Sequence, residues 1–269
     1  VNVVVELVLV FGFDMGIAGA AWSTVVAQIG AGVVFLFVIR RRLVDATQWR
    51  PNWAEMMPLL TAGRHLLLRV ASILGVFTGA TAIAARIDAP TLAAHQIVVT
   101  MFIFLALVLD GLAVPAQTLI AEELGRDTSA AGTTVALNLA RRVIRLSLFV
   151  AVGLTVLVAA SAPLVARAFS NDDAVVSRAT SGLFLLAALM LPAAVAFACD
   201  GILIGAGDYR FIGRAAFAFL LAVLPIAVLV LATRSLGIVG IWVGLFGWVC
   251  LRAGVNRQRV ERILQPADA

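Results

Sequence analysis

Lysine is absent from this chain of 269 residues, and its 20 basic residues are all arginine. Such a skew also arises from the base composition of a GC-rich genome, so the high isoelectric point is no evidence for a nucleic-acid partner. Histidine and cysteine occur twice each, too few for a zinc site. Cys199 and Cys250 lie in apolar segments, which indicates small buried hydrophobic residues and no disulfide framework.

Motifs of soluble enzymes are also missing. The sequence contains no GxxxxGK[ST], HExxH, CxxC or GxSxG pattern. We therefore expect neither an enzyme nor a bound metal or organic cofactor. A membrane-embedded enzyme would need a nucleophile and base near an interface, and no such pair is evident.

Charge is scarce, and long apolar runs take its place. Only 13% of the residues are charged, 62% are hydrophobic and the mean hydropathy is +1.07, whereas soluble domains carry about 25% charged residues. The charge-free segments are 15–39, 70–85, 89–109, 146–166, 179–199, 215–233 and 235–251. Most approach the ~20 residues that a helix needs to cross a bilayer. The sequence thus predicts an all-α, polytopic membrane protein with about seven and a half transmembrane helices.

The arginines predict the orientation of these helices. Alternate loops hold fourteen arginines, whereas the loops between them hold four, at positions 86, 167, 178 and 234. Because loops rich in arginine stay inside the cell, the first set is expected to be cytoplasmic. This predicts a cell-membrane protein with a cytoplasmic C-terminus.

The sequence predicts four regions in chain order. Residues 1–40 form the end of one helix and a second helix, and residues 41–57 form a polar linker at the membrane interface. Residues 58–256 form six helices, and residues 257–269 form a tail. The predicted helices of the third region span 58–86, 90–122, 141–166, 176–206, 212–233 and 237–256. The stretch "MGIAGAAW" near residue 16 resembles "LGIVGIW" near residue 237. This echo favours a duplicated architecture, typical of transporters, in which a further region of roughly 160 residues precedes Val1.

Three charged residues fall within predicted spans. At ~1.5 Å of rise per residue, Asp200 lies roughly 12 Å from the cytoplasmic end of its helix, Asp110 roughly 18 Å and Arg69 roughly 16 Å. Charges at this depth are costly and usually face a partner or a cavity. We expect these residues to form a network, either a static cross-link or a switch that responds to protonation.

A second polar group lies near the start of the chain. Asn2 and Glu6 are one helical turn apart, and Thr24 lies at a similar depth on the next helix. Together they form either a site for a proton or small cation, or a hydrogen-bonded patch between helices. His95 and Gln96 begin an inward helix, where a histidine is usually interfacial or capping. Together with Gln117 they are candidates for a substrate cavity or a proton relay.

Several stretches jointly resemble one family. "LAAHQIVVTMFIFLALVLDGLAVPAQTLIAEELGRD", "DGILIGAGDYRF", "MGIAGAAW" and "NVVVE" are similar to the multidrug and toxic compound extrusion (MATE) transporters, within the MOP superfamily. The branch they resemble most is that of DNA-damage-inducible protein F. The resemblance implies a bundle of twelve helices in two lobes, and antiport of organic cations or other amphipathic compounds against H⁺ or Na⁺.

The resemblance also implies roles for individual positions. Residues 1–40 would be the end of helix 5 and helix 6, and 58–256 would be helices 7 to 12. Asn2, Glu6 and Thr24 match the N-lobe cation site, whose other acid belongs to helix 1, outside this chain. Asp200 matches an acid of helix 10 implicated in coupling. Arg69 stands where some members have glutamate, which favours a proton-dependent network over Na⁺ binding in the C-lobe.

The prediction for function is a secondary active efflux transporter, monomeric in the bilayer and acting on small amphipathic substrates. The alternative is a lipid-linked oligosaccharide flippase of the same superfamily, which needs a more cationic cavity; Arg69 alone clearly supplies such a charge. A chain with one lobe and part of another is also expected to be unable to form a two-lobed cavity by itself.

Overall fold

The computed structural model describes residues 2–42 and 52–265, with the side chain of Arg42 also outside that description. Residues 43–51 form most of the predicted linker, so the prediction of an interfacial segment there lies outside the described part. The chain divides into two compact units, residues 1–56 and 57–269. The predicted assignment of these regions to two lobes stays a prediction.

The first unit is a helical hairpin. Helix α1 (Asn2–Leu7) continues as a π-helix (Val8–Gly12), and α2 spans Gly16–Arg42. Asp14 and Gly16 both have φ of 52° in the turn between them. Aspartate and glycine tolerate this left-handed backbone, so the sequence marks the turn where the helix reverses.

The second unit is a bundle of six long helices. Their bounds are α3 (Trp53–Ile87), α4 (Ala89–Arg126), α5 (Ala130–Phe169), α6 (Asp173–Gly205), α7 (Tyr209–Ala232) and α8 (Gly237–Leu264). In the described residues, seven helices are long and apolar enough to cross a membrane, with the apolar Asn2–Gly12 segment in addition. The prediction of an all-α, polytopic membrane protein is confirmed.

Helices α5 and α8 extend furthest beyond their predicted bounds. Helix α5 begins at Ala130 instead of near residue 141, and α8 continues to Leu264 instead of ending near 256. Both extensions have a buried face: Ala136 and Ala140 are buried on α5, and Val260 and Leu264 on α8. They pack in one apolar cluster with the end of α6. The predicted tail therefore begins with helix.

Helix α6 lies at the centre of the second unit. It packs against α4, α5, α7 and α8, and many of its side chains are buried on every side, including Leu186, Met190 and Ile202. A helix that is apolar all round is typical of the interior of a membrane bundle. Any charged side chain on α6 must therefore find its partners on neighbouring helices.

The turn between α3 and α4 is held by Asp88. Its side chain accepts a hydrogen bond from the backbone N–H of Thr91 (2.8 Å) and forms an ion pair with Arg178 of α6. Arg178 also donates to the Thr91 hydroxyl at 2.8 Å. The hydrogen bond from Thr91, more than the charge of Arg178, keeps the pKa of Asp88 below its ordinary value of 3.8. The helix start therefore depends on an ionised Asp88.

We expect Asp88→Ala to lower the free energy of unfolding by about 1 kcal/mol at pH 7, because the N-cap is lost. Since folding lowers the pKa of Asp88, its contribution is complete above the unfolded pKa and disappears as the pH falls through the folded value. Thermal unfolding at pH 7 and pH 3 measures the difference between variant and wild type. Asp173→Ala is the control, because that exposed carboxylate only approaches Arg167 to 3.9 Å. A cost for Asp88→Ala that is the same at both pH values would contradict this account.

Candidate functional site

The centre of the candidate site is Asp200, which α6 carries within its buried part. Asp200 is 3% exposed. The next residue, Gly201, approaches the backbone of α4 so closely that an added Cβ atom would lie 2.4 Å from the carbonyl oxygen of Ala113. Close packing of α6 on α4 thus fixes the position of the carboxylate within the bundle.

Three side chains from two other helices surround this carboxylate. Arg69 of α3 donates to Oδ2 of Asp200 from Nε at 2.9 Å and from Nη2 at 2.5 Å. Arg252 of α8 donates from Nη2 to the same oxygen. Asn256 of α8 donates to the other oxygen, Oδ1, at 2.7 Å. We call Arg69, Asp200, Arg252 and Asn256 the ionic centre.

The helical repeat explains how α8 contributes two side chains to the ionic centre. Arg252 and Asn256 are four residues apart, so they lie on the same face of the helix. Both are buried, at 5% and 2% exposure. Arg252 also lies over the rings of Phe197 and Trp248, 5.4 Å and 5.7 Å from their centroids. Cation–π contacts of this kind help to offset the cost of burying a guanidinium.

The charges of the ionic centre do not cancel. Two arginines share one carboxylate, which leaves one positive charge in excess. The side chain of Arg69 retains 20% exposure, whereas those of Asp200 and Arg252 retain 5% and 6%. The excess charge is therefore most accessible at Arg69.

The space beside the ionic centre is small. Arg69, Asp200, Trp248, Arg252 and Asn256 border a cavity of about 10 Å³. That is about the room needed for one water molecule, far below the 300–1,000 Å³ typical of organic-ligand pockets. The space beside the ionic centre has no room for an organic substrate.

Asp110 is not joined to the ionic centre by a hydrogen bond or ion pair within the described residues. The residue is exposed on α4. Arg69, Arg252 and Asp200 are still near enough to act on it electrostatically. Of the predicted network, the structure brings Arg69 and Asp200 into contact and leaves Asp110 beside them.

Arg252 and Asn256 were missed from the sequence. Arg252 follows the charge-free segment 235–251 and is one of the fourteen arginines expected in the cytoplasmic loops, but it is buried and bonded to Asp200. The signal was present: once α8 runs to Leu264, Arg252 lies twelve residues inside its end. The arginines other than Arg252 still lie mostly in the loops expected to be cytoplasmic, so the predicted orientation of the helices is unchanged.

His95 does not cap α4, contrary to one of the two expectations for a histidine near a helix start. Asp88 caps α4, and His95 is fully buried within the bundle. Its Nε2 lies 3.3 Å from the hydroxyl of Thr81, and its ring packs 5.8 Å from that of Trp242. The Thr81 hydroxyl also donates to the carbonyl of Phe77 at 2.9 Å, which favours His95 as the donor to Thr81 and hence its Nε2–H tautomer.

The other predicted site residues lie apart from the ionic centre. Gln96 is exposed and Gln117 is half-buried on α4. In the first unit, Asn2 and Glu6 lie on α1, and Thr24 lies on α2 with its hydroxyl donating to the carbonyl of Ala20 at 3.2 Å. No hydrogen bond joins Asn2, Glu6 and Thr24 within the described part of the chain. Their role as a cation site stays a prediction.

Within the described residues, seven helices of membrane length, six of them in the bundle that holds the buried charge cluster, define a polytopic helical membrane protein, and comparison with known proteins gives its family. The profile of the family described as MatE matches residues 66–229, well over half of the chain. The chain belongs to the MATE family of transporters. The sequence-based resemblance to this family is thus confirmed.

Two curated relatives and one solved structure illustrate the match. Protein DETOXIFICATION 42 of Arabidopsis thaliana is 28% identical over 260 residues, covering 96% of this chain and 49% of the relative. DNA damage-inducible protein F of Escherichia coli (strain K12) is 29% identical over 120 residues, covering 42% of this chain and 26% of the relative. A structure described as the outward-facing conformation of a multidrug resistance MATE family transporter of the MOP superfamily superposes with a TM-score of 0.81. It is 16% identical and covers 97% of this chain and 60% of the other.

The matches show the family and the fold of this chain. The chain spans about half the length of the first curated relative, 49%. At 16% identity, the structural match shows the fold alone. Family membership and fold are therefore established, whereas the activity of the whole protein is a matter for proposal.

Proposed function

We propose that the full-length gene product containing this chain is a secondary active efflux transporter. It exports organic cations or other small amphipathic compounds in exchange for H⁺ or Na⁺, by alternating access between two lobes, and it is not an enzyme. The observation that carries the proposal is the ionic centre, a carboxylate at membrane depth shared by arginines of two helices. Ionisable groups at that depth mark ion or proton pathways in transporters.

The ionic centre favours H⁺ as the coupling ion in the second unit. Both oxygens of Asp200 already accept hydrogen bonds from cationic or amide donors. A Na⁺ ion would have to displace the guanidinium of Arg69 or Arg252 from Asp200, and it would be repelled by the arginine that remained. A proton instead converts the carboxylate into a neutral acid and removes the attraction that joins α3, α6 and α8. Protonation of Asp200 would therefore bias the packing of these helices.

We propose that Glu6 binds and releases the coupling ion in the first unit, assisted by Asn2 and Thr24. Asp110, Gln96 and Gln117 are polar positions of α4 that substrate would meet, and His95 supplies a buried proton acceptor at Nδ1. The protein would act as a monomer in the cell membrane with its C-terminus in the cytoplasm, in line with the arginine distribution. Its partners are the lipid bilayer and small-molecule substrates, without a nucleic acid or a metal other than the coupling ion.

Efflux from whole cells tests the role of Glu6. In cells lacking their own multidrug pumps, the full-length product should lower ethidium accumulation, and a protonophore should abolish this effect. Glu6→Gln removes the titratable group and should reduce efflux to the level of cells without the protein, at equal membrane abundance. Glu55→Gln is the control, because Glu55 is exposed and only accepts from Asn52 at 3.0 Å. Unchanged efflux with Glu6→Gln would sink this role.

The excess positive charge of the ionic centre favours a second candidate, a lipid-linked oligosaccharide flippase. The part of that charge that a lipid-linked substrate could reach is at Arg69, whose side chain is 20% exposed. A flippase would translocate the anionic lipid-linked sugar in purified vesicles, measured by lectin access to the outer leaflet, and it would leave ethidium accumulation unchanged. Ethidium efflux without lipid translocation favours the antiporter.

A further inference from the structure

A groove runs between α5 and α8 at the end of the bundle that the arginine bias assigns to the cytoplasm. Its volume is about 270 Å³. Its apolar wall includes Ile144 and Leu148, and its rim carries Arg141 and Arg145 of α5 and Arg257 of α8. We call it the α5–α8 groove.

The arginines of α5 lie at the edge of the hydrocarbon layer. The charge-free run 146–166 spans roughly 31 Å of helix, which matches a bilayer core of ~30 Å. Arg145 is the residue directly before that run, and Arg141 is one turn further out on the same face. Leu148 lies one turn inside. The α5–α8 groove therefore begins among the lipid headgroups and continues among the acyl chains.

The charge of the α5–α8 groove is positive and largely unneutralised. Within the described residues, Arg141 and Arg145 form no ion pair with a carboxylate. Arg257 pairs with Glu261 at 3.2 Å, but both side chains are about half exposed, so this pair is weak. Three arginines against one glutamate leave two positive charges beside an apolar wall.

We propose that the α5–α8 groove binds an anionic phospholipid of the inner leaflet, with its phosphate between Arg141, Arg145 and Arg257 and an acyl chain along Leu148. Basic pockets between transmembrane helices on the cytoplasmic side suit anionic headgroups. The apolar wall decides between a lipid and a free phosphate ion. A phosphate ion alone would leave that wall without a partner, whereas a lipid matches both parts of the groove.

Native mass spectrometry of the full-length product in neutral detergent tests the proposal. The probes are phosphatidylglycerol, phosphatidylcholine and glycerol 3-phosphate. We expect phosphatidylglycerol to bind at least about tenfold more tightly than phosphatidylcholine, because each arginine attracts an anionic headgroup more strongly than a zwitterionic one. Arg141→Gln with Arg145→Gln should weaken phosphatidylglycerol binding at least about tenfold.

The matched control is Arg142→Gln with Arg262→Gln, which removes the same charge from exposed positions outside the groove. This variant should bind phosphatidylglycerol as the wild type does. Leu148→Trp keeps every charge, fills the apolar wall and should weaken lipid binding severalfold, so the proposal is testable even if the arginine variant fails to fold. Equal losses in the arginine variant and its control, equal binding of both lipids, or displacement of lipid by equimolar glycerol 3-phosphate would each overturn the proposal.

Discussion

Asp200→Asn is expected to lower the free energy of unfolding by about 3–5 kcal/mol, the largest effect of any single change considered for this chain. The variant keeps the shape of the side chain but removes the charge that Arg69 and Arg252 share. Arg252, 5% exposed, would then be a buried cation without a counter-ion. Thermal or denaturant unfolding in detergent micelles measures the loss.

Two comparisons separate this effect from a general loss of charge. Asp208→Asn makes the same chemical change at an arginine pair, with Arg259 at 2.7 Å, but Arg259 is 38% exposed there. That variant should cost less than about 1 kcal/mol. Asp200→Leu combined with Arg252→Met removes both buried charges and should recover most of the loss, since apolar replacements of buried pairs are often tolerated. A double variant as unstable as Asp200→Asn would contradict the view that the loss comes from leaving Arg252 as a buried cation without a counter-ion.

Gly201→Ala and Gly205→Ala are expected to be the next most damaging changes, at about 1–3 kcal/mol each. An added Cβ atom would lie 2.4 Å from the carbonyl oxygen of Ala113 at the first position and 2.4 Å from that of Gln117 at the second. These oxygens belong to the backbone of α4, which cannot turn away as a flexible side chain can. The two helices would have to separate, and Asp200 would move with α6.

The control for the glycine variants is Gly254→Ala. No atom lies within 4 Å of the Cβ position at Gly254 on α8. Alanine there should leave stability unchanged or raise it by up to about 1 kcal/mol, because alanine favours a helix more than glycine does. Unfolding of all three variants under one condition gives the comparison. A similar stability for Gly201→Ala and Gly254→Ala would show that the α4–α6 contact is looser than described.

The sequence predicted the helices better than their ends. Charge-free runs identify the part of a helix inside the bilayer, so the crossings were found. The first eleven residues of α5 carry Thr133, Thr134 and Asn138, and Arg141 separates them from the charge-free run 146–166, although their other face is buried against α6 and α8. Outside the bilayer only one face of a helix is apolar, so a search for continuous charge-free runs does not find it.

The candidate site was predicted in part, for a similar reason. Depth along each helix placed Arg69 and Asp200 in one layer, and they are in contact. Depth alone does not give the direction in which a side chain points, so Asp110 was included although it is exposed. Arg252 was missed because the predicted end of its helix lies eight residues too early, which puts Arg252 close to the cytoplasmic loop. The positions of α3 and α8 beside Asp200 were needed to find it.

Flux through proteoliposomes that contain the full-length product tests the central claim, proton-coupled efflux, most directly. An organic cation is loaded and its movement is followed under an imposed pH gradient, an imposed Na⁺ gradient, or neither. We predict flux that follows the pH gradient, stops when a protonophore collapses it, and does not need Na⁺. Flux that responds to neither gradient would contradict antiport, and flux that follows the Na⁺ gradient alone would contradict proton coupling.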